Sequence, residues 1–468
     1  MTSPDTPSPL AAYGQWVADA PRDWSQEALN IARRALIDTL ACMVPGAFDS
    51  APLKLWSVLE HWGSGPSRAV AKADCLAPPS AALFNGTAAH ALDFDDNFDP
   101  AKAHASAVLY PALLALADAE DSTIADLLDG YIVGLQILGK VGQAVNPYHR
   151  SRGWHATGTL GAIGAAAAGA RLLRLNSEQS AHAISISTSL AGGFMSQFGS
   201  DTKPLHAGLA AAGGVQAALF ARAGISANED TLDGPTGLRI LMVGADANSL
   251  AESMAGTAEH GQTMRFDPTS VGVPLHIIEH GLKIKRFPNC GSLHRALDGL
   301  LALMEENHLQ AEDIETVFVR APAAHLRNLM HEDPQTPAEA KFSLEYSLAA
   351  ALLQKGIGLS DYEHDAIFRE RVRTAMPKIA KEYVDSLESE FSTEVHITLT
   401  NGAKHEISIA MPVGSKAVPM SDQQVWQKLE TCLVAAPEFD KSDRLLEALG
   451  TLDPTSSVRH LTQAMQAH

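Results

Sequence analysis

Two stretches of this chain are built mostly of alanine and glycine: residues 158–170 read GTLGAIGAAAAGA and residues 207–218 read AGLAAAGGVQAA. Glycine is a poor helix former on its own, so a helix through such a stretch takes its stability from packing. Small side chains let helix backbones approach closely, and a helix without a polar face belongs inside. Two central helices, packed on every side, are therefore expected. Around them the first 267 residues read as helix after helix. Ser25–Met43 puts Ala28, Leu29, Ile31, Ala32, Leu36, Ile37, Leu40 and Ala41 on one broad face. Segments 105–120, 124–145, 160–175 and 178–195 continue the pattern. Asn176, with Gln179 three residues on, is a capping-box signal for the last of these.

The period changes near Phe266–Pro274. Residues 315–321 (ETVFVRA), 393–399 (TEVHITL) and 404–410 (KHEISIA) alternate as strands do. Asn401-Gly402, between the last two, signals a hairpin. Helices are expected at 292–306 and 342–353, and the tail from 421 to 466 is helical again. The predicted fold class is mainly α with a smaller α+β domain. A discontinuous all-helical domain would take residues 1–267 and 413–468, and the α+β domain residues 268–412.

Composition narrows the function classes. A chain of 468 residues suggests two or three domains. With 46% hydrophobic and 19% charged residues it can bury a large core. Thirty-five Lys and Arg against 54 Asp and Glu leave a net charge of −19, which argues against nucleic acid or an anionic membrane as partner. The four cysteines, Cys42, Cys75, Cys290 and Cys432, have neither zinc-finger nor Fe–S spacing. They point to a reducing, cytoplasmic compartment. Residues 1–10 lack the basic and apolar regions of a signal peptide, and the apolar stretches are too short to span a bilayer.

Five segments could carry chemistry. Residues 89–106 (AHALDFDDNFDPAKAHAS) hold His90, Asp93, Asp95, Asp96, Asp99 and His104. Asp95–Asp99 fits D-D-x-x-D, the magnesium–diphosphate motif of helical isoprenoid synthases, although a second such motif is missing and Pro100 interrupts a helix. Acid–base chemistry is the competing reading: a carboxylate beside His104 sets its tautomer and raises its pKa. A solvated, helix-capping acidic turn is the structural one. Residues 148–159 (YHRSRGWHATGT) place His149, Arg150, Arg152 and His155 before a helix start, where anions bind. Residues 199–208 (GSDTKPLHAG) hold Lys203 at a helix boundary, as a surface cation or a partly desolvated one. Residues 283–294 (KIKRFPNCGSLH) bring Cys290 and His294, and in AKFSLEY Tyr346 stands on an apolar helix, where a tyrosine is usually core.

In this order the segments resemble the MmgE/PrpD family, which includes 2-methylcitrate dehydratase, cis-aconitate decarboxylase and iminodisuccinate epimerase. The stretches that carry the resemblance are AAHALDFDDNFDPAKAHASAVLYPALLALAD, GWHATGTLGAIGAAAAGARLL, SDTKPLHAGLAA, KRFPNCGSLHRALDGL and EAKFSLEYSLAAALL, spanning about 88–353. The resemblance implies a large helical domain, a smaller α+β lid domain with the active site between them, a homodimer, and no cofactor or metal. It carries functional positions onto Asp93, Asn97, His104, His155, Lys203 and Tyr346, with Cys290 and His294 on the lid side. Asn97 stands where decarboxylases have Thr. The spacing from Asp93 to His104 looks like the epimerase, whereas Tyr346 favours a lyase.

The expected function is a cofactor-independent lyase acting on a small di- or tricarboxylate, dehydratase-like in preference to decarboxylase-like. An iminodisuccinate-type epimerase is the alternative, and a magnesium-dependent isoprenoid synthase a distant one. The shared chemistry is a carbanion or enediolate beside a carboxylate. His104, oriented by Asp93, is the expected base or acid, and His155 the complementary acid. Lys203 and Arg152 would clamp carboxylates, and Tyr346 would donate a proton. Asn97, Cys290 and His294 are the remaining expected substrate contacts.

Overall fold

The computed structural model describes residues 7–254, 259–386 and 391–467; the first six residues of the Ser/Pro-rich start lie outside them. The chain is mainly α, with a small mixed sheet, and forms two compact units. The first takes residues 7–91, 95–282 and 422–467; the second takes 92–94 and 283–421. The chain thus divides after Leu282 and Ser421 rather than at 267 and 412. Hydrogen bonds explain the difference. The Gln136 amide donates to the carbonyls of Val271 (2.6 Å) and Pro274 (3.1 Å) and accepts from the His276 N–H (2.7 Å), which ties 268–282 to the helical unit. In the second unit Asp298 accepts from the Val413 N–H at 2.8 Å, and the Ile284 N–H donates to Gly414 at 3.1 Å.

Six helices frame the first unit: α1 (Gln26–Gly46), α2 (Pro78–Ala91), α3 (Ser106–Glu120), α4 (Ile124–Val145), α5 (Ala156–Leu172) and α6 (Thr202–Arg222). Every residue of α5 is buried. Helix α6 packs on α2 and on α5, and α5 also on α3 and α4. Small residues make this possible. A Cβ on Gly208 of α6 would lie 2.2 Å from the Leu83 carbonyl oxygen and 2.3 Å from Thr87 Oγ1 of α2. Starts are capped as the sequence predicts. Ser25 Oγ accepts from the Ala28 N–H at 3.2 Å, and Asn176 and Gln179 form a reciprocal capping box. The helix expected over 178–195 stops at Thr188, because the chain then turns through Gly192 and Gly193, the latter at φ +134°. A short helix, α7 (His276–Glu279), closes the segment. Among the described residues no helix is long and apolar enough to cross a membrane.

The second unit holds α8 (His294–Glu306), β1 (Ile314–Pro322), α9 (Leu344–Gln354), β2 (Ile379–Val384), β3 (Thr393–Leu399) and β4 (Lys404–Ile409). Strand order is β2-β1-β3-β4, with β1 and β2 parallel and the other pairs antiparallel. The expected hairpin joins β3 to β4 with Thr393 opposite Ile409 and Gly402 at φ +86°. Val395 and Ile397 of β3 meet Leu297 and Leu300 of α8 and Leu348 of α9 in one core. The chain then returns to the first unit as α10 (Asp422–Val434), packed on α1.

The close approach of α6 to α2 predicts the outcome of one substitution. Gly208→Ala is expected to cost about 1–3 kcal/mol in urea unfolding, because backbone atoms must give way. Gly356→Ala, whose Cβ would meet nothing within 4 Å, is expected to stay within about 0.5 kcal/mol of the parent.

Candidate active site

Four helix ends of the first unit bring ionisable side chains together. His90 lies in the last turn of α2, Asp95 on the turn that follows, and His104 just before α3. His155 is the N-cap residue of α5, and Lys203 and His206 lie in the first two turns of α6. Local bonds hold these ends. The His104 N–H donates to Thr157 Oγ1 of α5 at 3.1 Å, and the His155 N–H donates to the Gly193 carbonyl at 3.0 Å. Gly193 also allows the chain to lie against the His206 ring, which a Cβ there would approach to 3.2 Å.

One carboxylate organises the cluster. Asp95 Oδ2 stands 2.9 Å from His90 Nδ1 and 3.1 Å from His104 Nδ1. The two rings lie 4.4 Å apart, and His155 stacks on His90 at 5.9 Å. His155 and His206 face each other through their Nδ1 atoms at 3.0 Å. Such a bond needs one donor and one acceptor, which two neutral rings of opposite tautomer supply and two imidazolium rings cannot. Phe198 packs edge-on against His155 at 4.9 Å, and Lys203 Nζ lies 5.6 Å from the Phe198 ring centre. Lys203 is buried at 6% exposure and close enough to bear on both His90 and His155.

The charge states follow from burial. Burial by itself would raise the Asp95 carboxyl, but His90 and His104 beside it hold it well below the usual carboxylate range. Burial pushes His90 down to about 3; Asp95 pulls the other way, and Lys203 and His104 add to the fall. His155 is lowered by burial and then by His90, Lys203, His104 and His206. Burial and then Lys203 lower His206. The result is neutral His90, His155 and His206 beside an ionised Asp95, with Lys203 buried close by, and a fixed cation shielded from water acts strongly on a developing anion.

Several sequence expectations need correction. The carboxylate that pairs with the imidazoles is that of Asp95. Asp93 clusters with the second unit, at φ +52°, where Lys285 Nζ donates to its carboxylate at 2.8 Å and to its carbonyl at 2.7 Å. Arg152 does not join the cluster; it is exposed and pairs with Asp246 at 3.0 Å. Tyr346 has no exposed surface, and its hydroxyl donates to the Asp361 carbonyl within a core of the second unit. Burial, first among the causes, raises its pKa. Its surroundings are those of the core tyrosine that an apolar helix suggests. The carboxylates of the D-D-x-x-D motif diverge: Asp95 goes to the imidazoles, Asp96 to Ser106, and Asp99 stands 4.0 Å from His260. The magnesium–diphosphate reading loses its support with them. His90, Asp93, Asp95 and His104 do bring ligand-type atoms within 4.8 Å of one another.

His104, His155 and Lys203 do come together, and Asn97 lies half-buried on the same turn as Asp95. In the second unit Cys290 is half-buried, its N–H bonded to the Lys341 carbonyl at 3.0 Å. His294 opens α8, buried edge-on against Phe287 at 5.4 Å. Sequence reasoning left out the roles of His90, Asp95, His206 and Lys285. All four stand inside the quoted motifs, so the signal was there, without a rule to choose among neighbouring carboxylates and cations. The second unit also has a surface cleft of about 690 Å³, but its charges satisfy one another: Lys381 bridges Glu332 and Glu345 at 3.0 and 2.7 Å, and Arg373 pairs with Asp333.

Comparison with known proteins agrees with this architecture. The family profile for the MmgE/PrpD N-terminal domain matches residues 12–250, and that for the MmgE/PrpD C-terminal domain matches residues 287–453. The chain belongs to the MmgE/PrpD family. It is 27% identical over 404 residues to cis-aconitate decarboxylase of Homo sapiens, covering 84% of this chain and 80% of that protein. It is also 27% identical over 446 residues to cis-aconitate decarboxylase of Mus musculus, covering 93% and 88%. A cis-aconitate decarboxylase-like protein of Aspergillus oryzae is 24% identical, covering 95% of each chain.

The buried imidazoles make stability depend on pH. His149, bonded to Thr159 Oγ1 at 2.9 Å, is pushed by burial, and then by Arg150, down to about 3. Its unfolded value is about 6.5. Below that pH the unfolded chain takes up a proton that the native ring refuses, so stability falls as the solution is acidified. Asp96, raised to about 7 by burial and then Asp38, has the opposite sign, but it does so in parent and variant alike. Between pH 7.5 and 5.5 the parent should lose about 1.4 kcal/mol more than His149→Gln in urea unfolding; equal losses would contradict the assignment.

Proposed function

We propose that this protein is a lyase of small di- or tricarboxylates that works without a cofactor, with cis-aconitate the first substrate to test. The observation that carries the proposal is the Asp95–His104 pair beside Lys203, among imidazoles kept neutral by burial. Family membership supports the lyase class, and the decarboxylase names of the relatives favour loss of CO₂ over loss of water. Tyr346 was the residue that favoured a lyase over the epimerase, and its place in a core weakens that argument, while Asn97 in place of Thr still weighs against decarboxylation.

The residues suit the chemistry. Lys203 and the N-terminal ends of α3, α5 and α6 attract a substrate carboxylate. With Asp95 on Nδ1, Nε2 of His104 becomes the nitrogen that exchanges protons. In a decarboxylation the C–C bond to one carboxylate breaks, CO₂ leaves, and the electron pair stays as an allylic carbanion beside a second carboxylate. Lys203 offsets that charge, and His104 or His155 delivers the proton to carbon. A dehydration uses the same groups in the other order: an imidazole takes the Cα proton and a second one protonates the leaving hydroxyl. A homodimer in the cytoplasm completes the proposal.

Turnover followed by proton NMR in D₂O tests this. Cis-aconitate, 2-methylcitrate, citrate and iminodisuccinate are offered separately, with and without EDTA. One tricarboxylate should lose CO₂ or water at a rate that EDTA leaves unchanged. His104→Gln and Lys203→Met should each lower kcat/KM by about 100-fold or more with the fold retained, and Arg152→Ala by less than about threefold. Deuterium exchange into iminodisuccinate without loss of any group would instead support the epimerase. Full activity in His104→Gln would sink the mechanism.

A further inference from the structure

The first unit gathers a second set of imidazoles away from the Asp95 cluster. His276 opens α7, and His280 follows four residues later, the separation that stacks two side chains on one helix face. Their ring centres lie 5.2 Å apart. His260, from the preceding segment, brings its ring to 6.1 Å from that of His280, with its Nε2 4.0 Å from Asp99 Oδ2. His276 has no exposed surface, and neither of its ring nitrogens has a hydrogen-bond partner among the described residues. Buried polar atoms of this kind are uncommon, because leaving one unmade costs about 1–3 kcal/mol. Nδ1 lies over Gly139, where a Cβ would come within 2.1 Å of it, so Nε2 is the atom that can accept a further ligand.

We propose that His276, His280 and His260, with Asp99 as an oxygen ligand, form a binding site for a borderline-soft divalent cation of the Zn²⁺ type. Imidazole is a preferred ligand of such ions, and three nitrogens with one carboxylate complete a tetrahedral set. Two imidazoles on one tetrahedral ion, with metal–nitrogen bonds of about 2.0–2.1 Å, place their ring centres about 5 Å apart. The His276–His280 pair already stands at that separation; the ligand atoms of all four residues do not yet converge within 4.8 Å, so binding requires His260 and Asp99 to turn inward. The site joins the segment before α7 to the 95–104 turn, which carries Asp95 and His104. A cation bound there would therefore brace that turn without touching the imidazoles of the candidate active site.

The test uses the full chain without a histidine tag, stripped by chelator and titrated with Zn²⁺ against a chromogenic competitor. Co²⁺ absorption in the visible range serves as the second readout. One ion should bind per chain, with intense tetrahedral Co²⁺ bands. Affinity should fall at least tenfold in His280→Gln and in His276→Gln and stay unchanged in His104→Gln. His280 is half-buried, so His280→Gln retains the fold and decides the matter even if His276→Gln does not. No bound ion in the parent would overturn the proposal. Loss of binding in His104→Gln with none in His280→Gln would overturn it equally, by placing the ion on the other cluster.

Discussion

A single ionised carboxylate, Asp95, with two imidazoles on one of its oxygens, is the constraint on which the rest of the first unit depends. An isolated buried carboxylate is expensive, and it persists only where donors surround it. His90 and His104 supply those donors and in return are held in one orientation each. Around this centre burial keeps His90 and His155 neutral, so the cluster can exchange protons without gathering several positive charges in a small volume. Lys203 remains the cation, and a cation that need not reorganise is what carbanion chemistry beside a carboxylate requires.

The fold provides this centre by letting helices come unusually close. Four helix ends can meet only if α2, α5 and α6 pack nearly backbone to backbone, and the glycines and alanines of α5 and α6 allow it. The same property makes those positions intolerant of even one added methyl. Beneath the Asp95 turn a second polar layer continues inward. Asp96 accepts from the Ser106 N–H at 3.3 Å, the Ser106 hydroxyl lies 2.7 Å from that of Tyr131, and Lys428 of α10 holds Asp38 of α1 at 2.6 Å. The returning C-terminal segment is thus fastened to the helices that carry the cluster, through ions that are both buried.

Much of this was legible in the sequence, for physical reasons that differ between elements. The long helices declared themselves by period and caps; α4 begins and ends where the pattern 124–145 does, with Thr123 as its N-cap. The β3–β4 hairpin followed from alternation and Asn401-Gly402. Strand β2 was not foreseen, since IAKEYV buries little on either face and pairs in parallel with a strand far away in sequence. In the cluster, residue types were readable but pairings were not. Asp93 and Asp95 are two residues apart; Asp93, at positive φ, pairs with Lys285, and Asp95 with His90 and His104. Arg152 looked like an anion clamp because it stands beside His155 in sequence, but the glycine after it turns the chain and the side chain ends at Asp246.

The most direct measurement is the turnover of cis-aconitate by Asp95→Asn, with circular dichroism to confirm the helical fold. An amide in place of the carboxylate keeps the shape and removes the charge that fixes both imidazoles. The account predicts that kcat falls by about 100-fold or more while the helix content is retained. A variant that turns over within about threefold of the parent would contradict it.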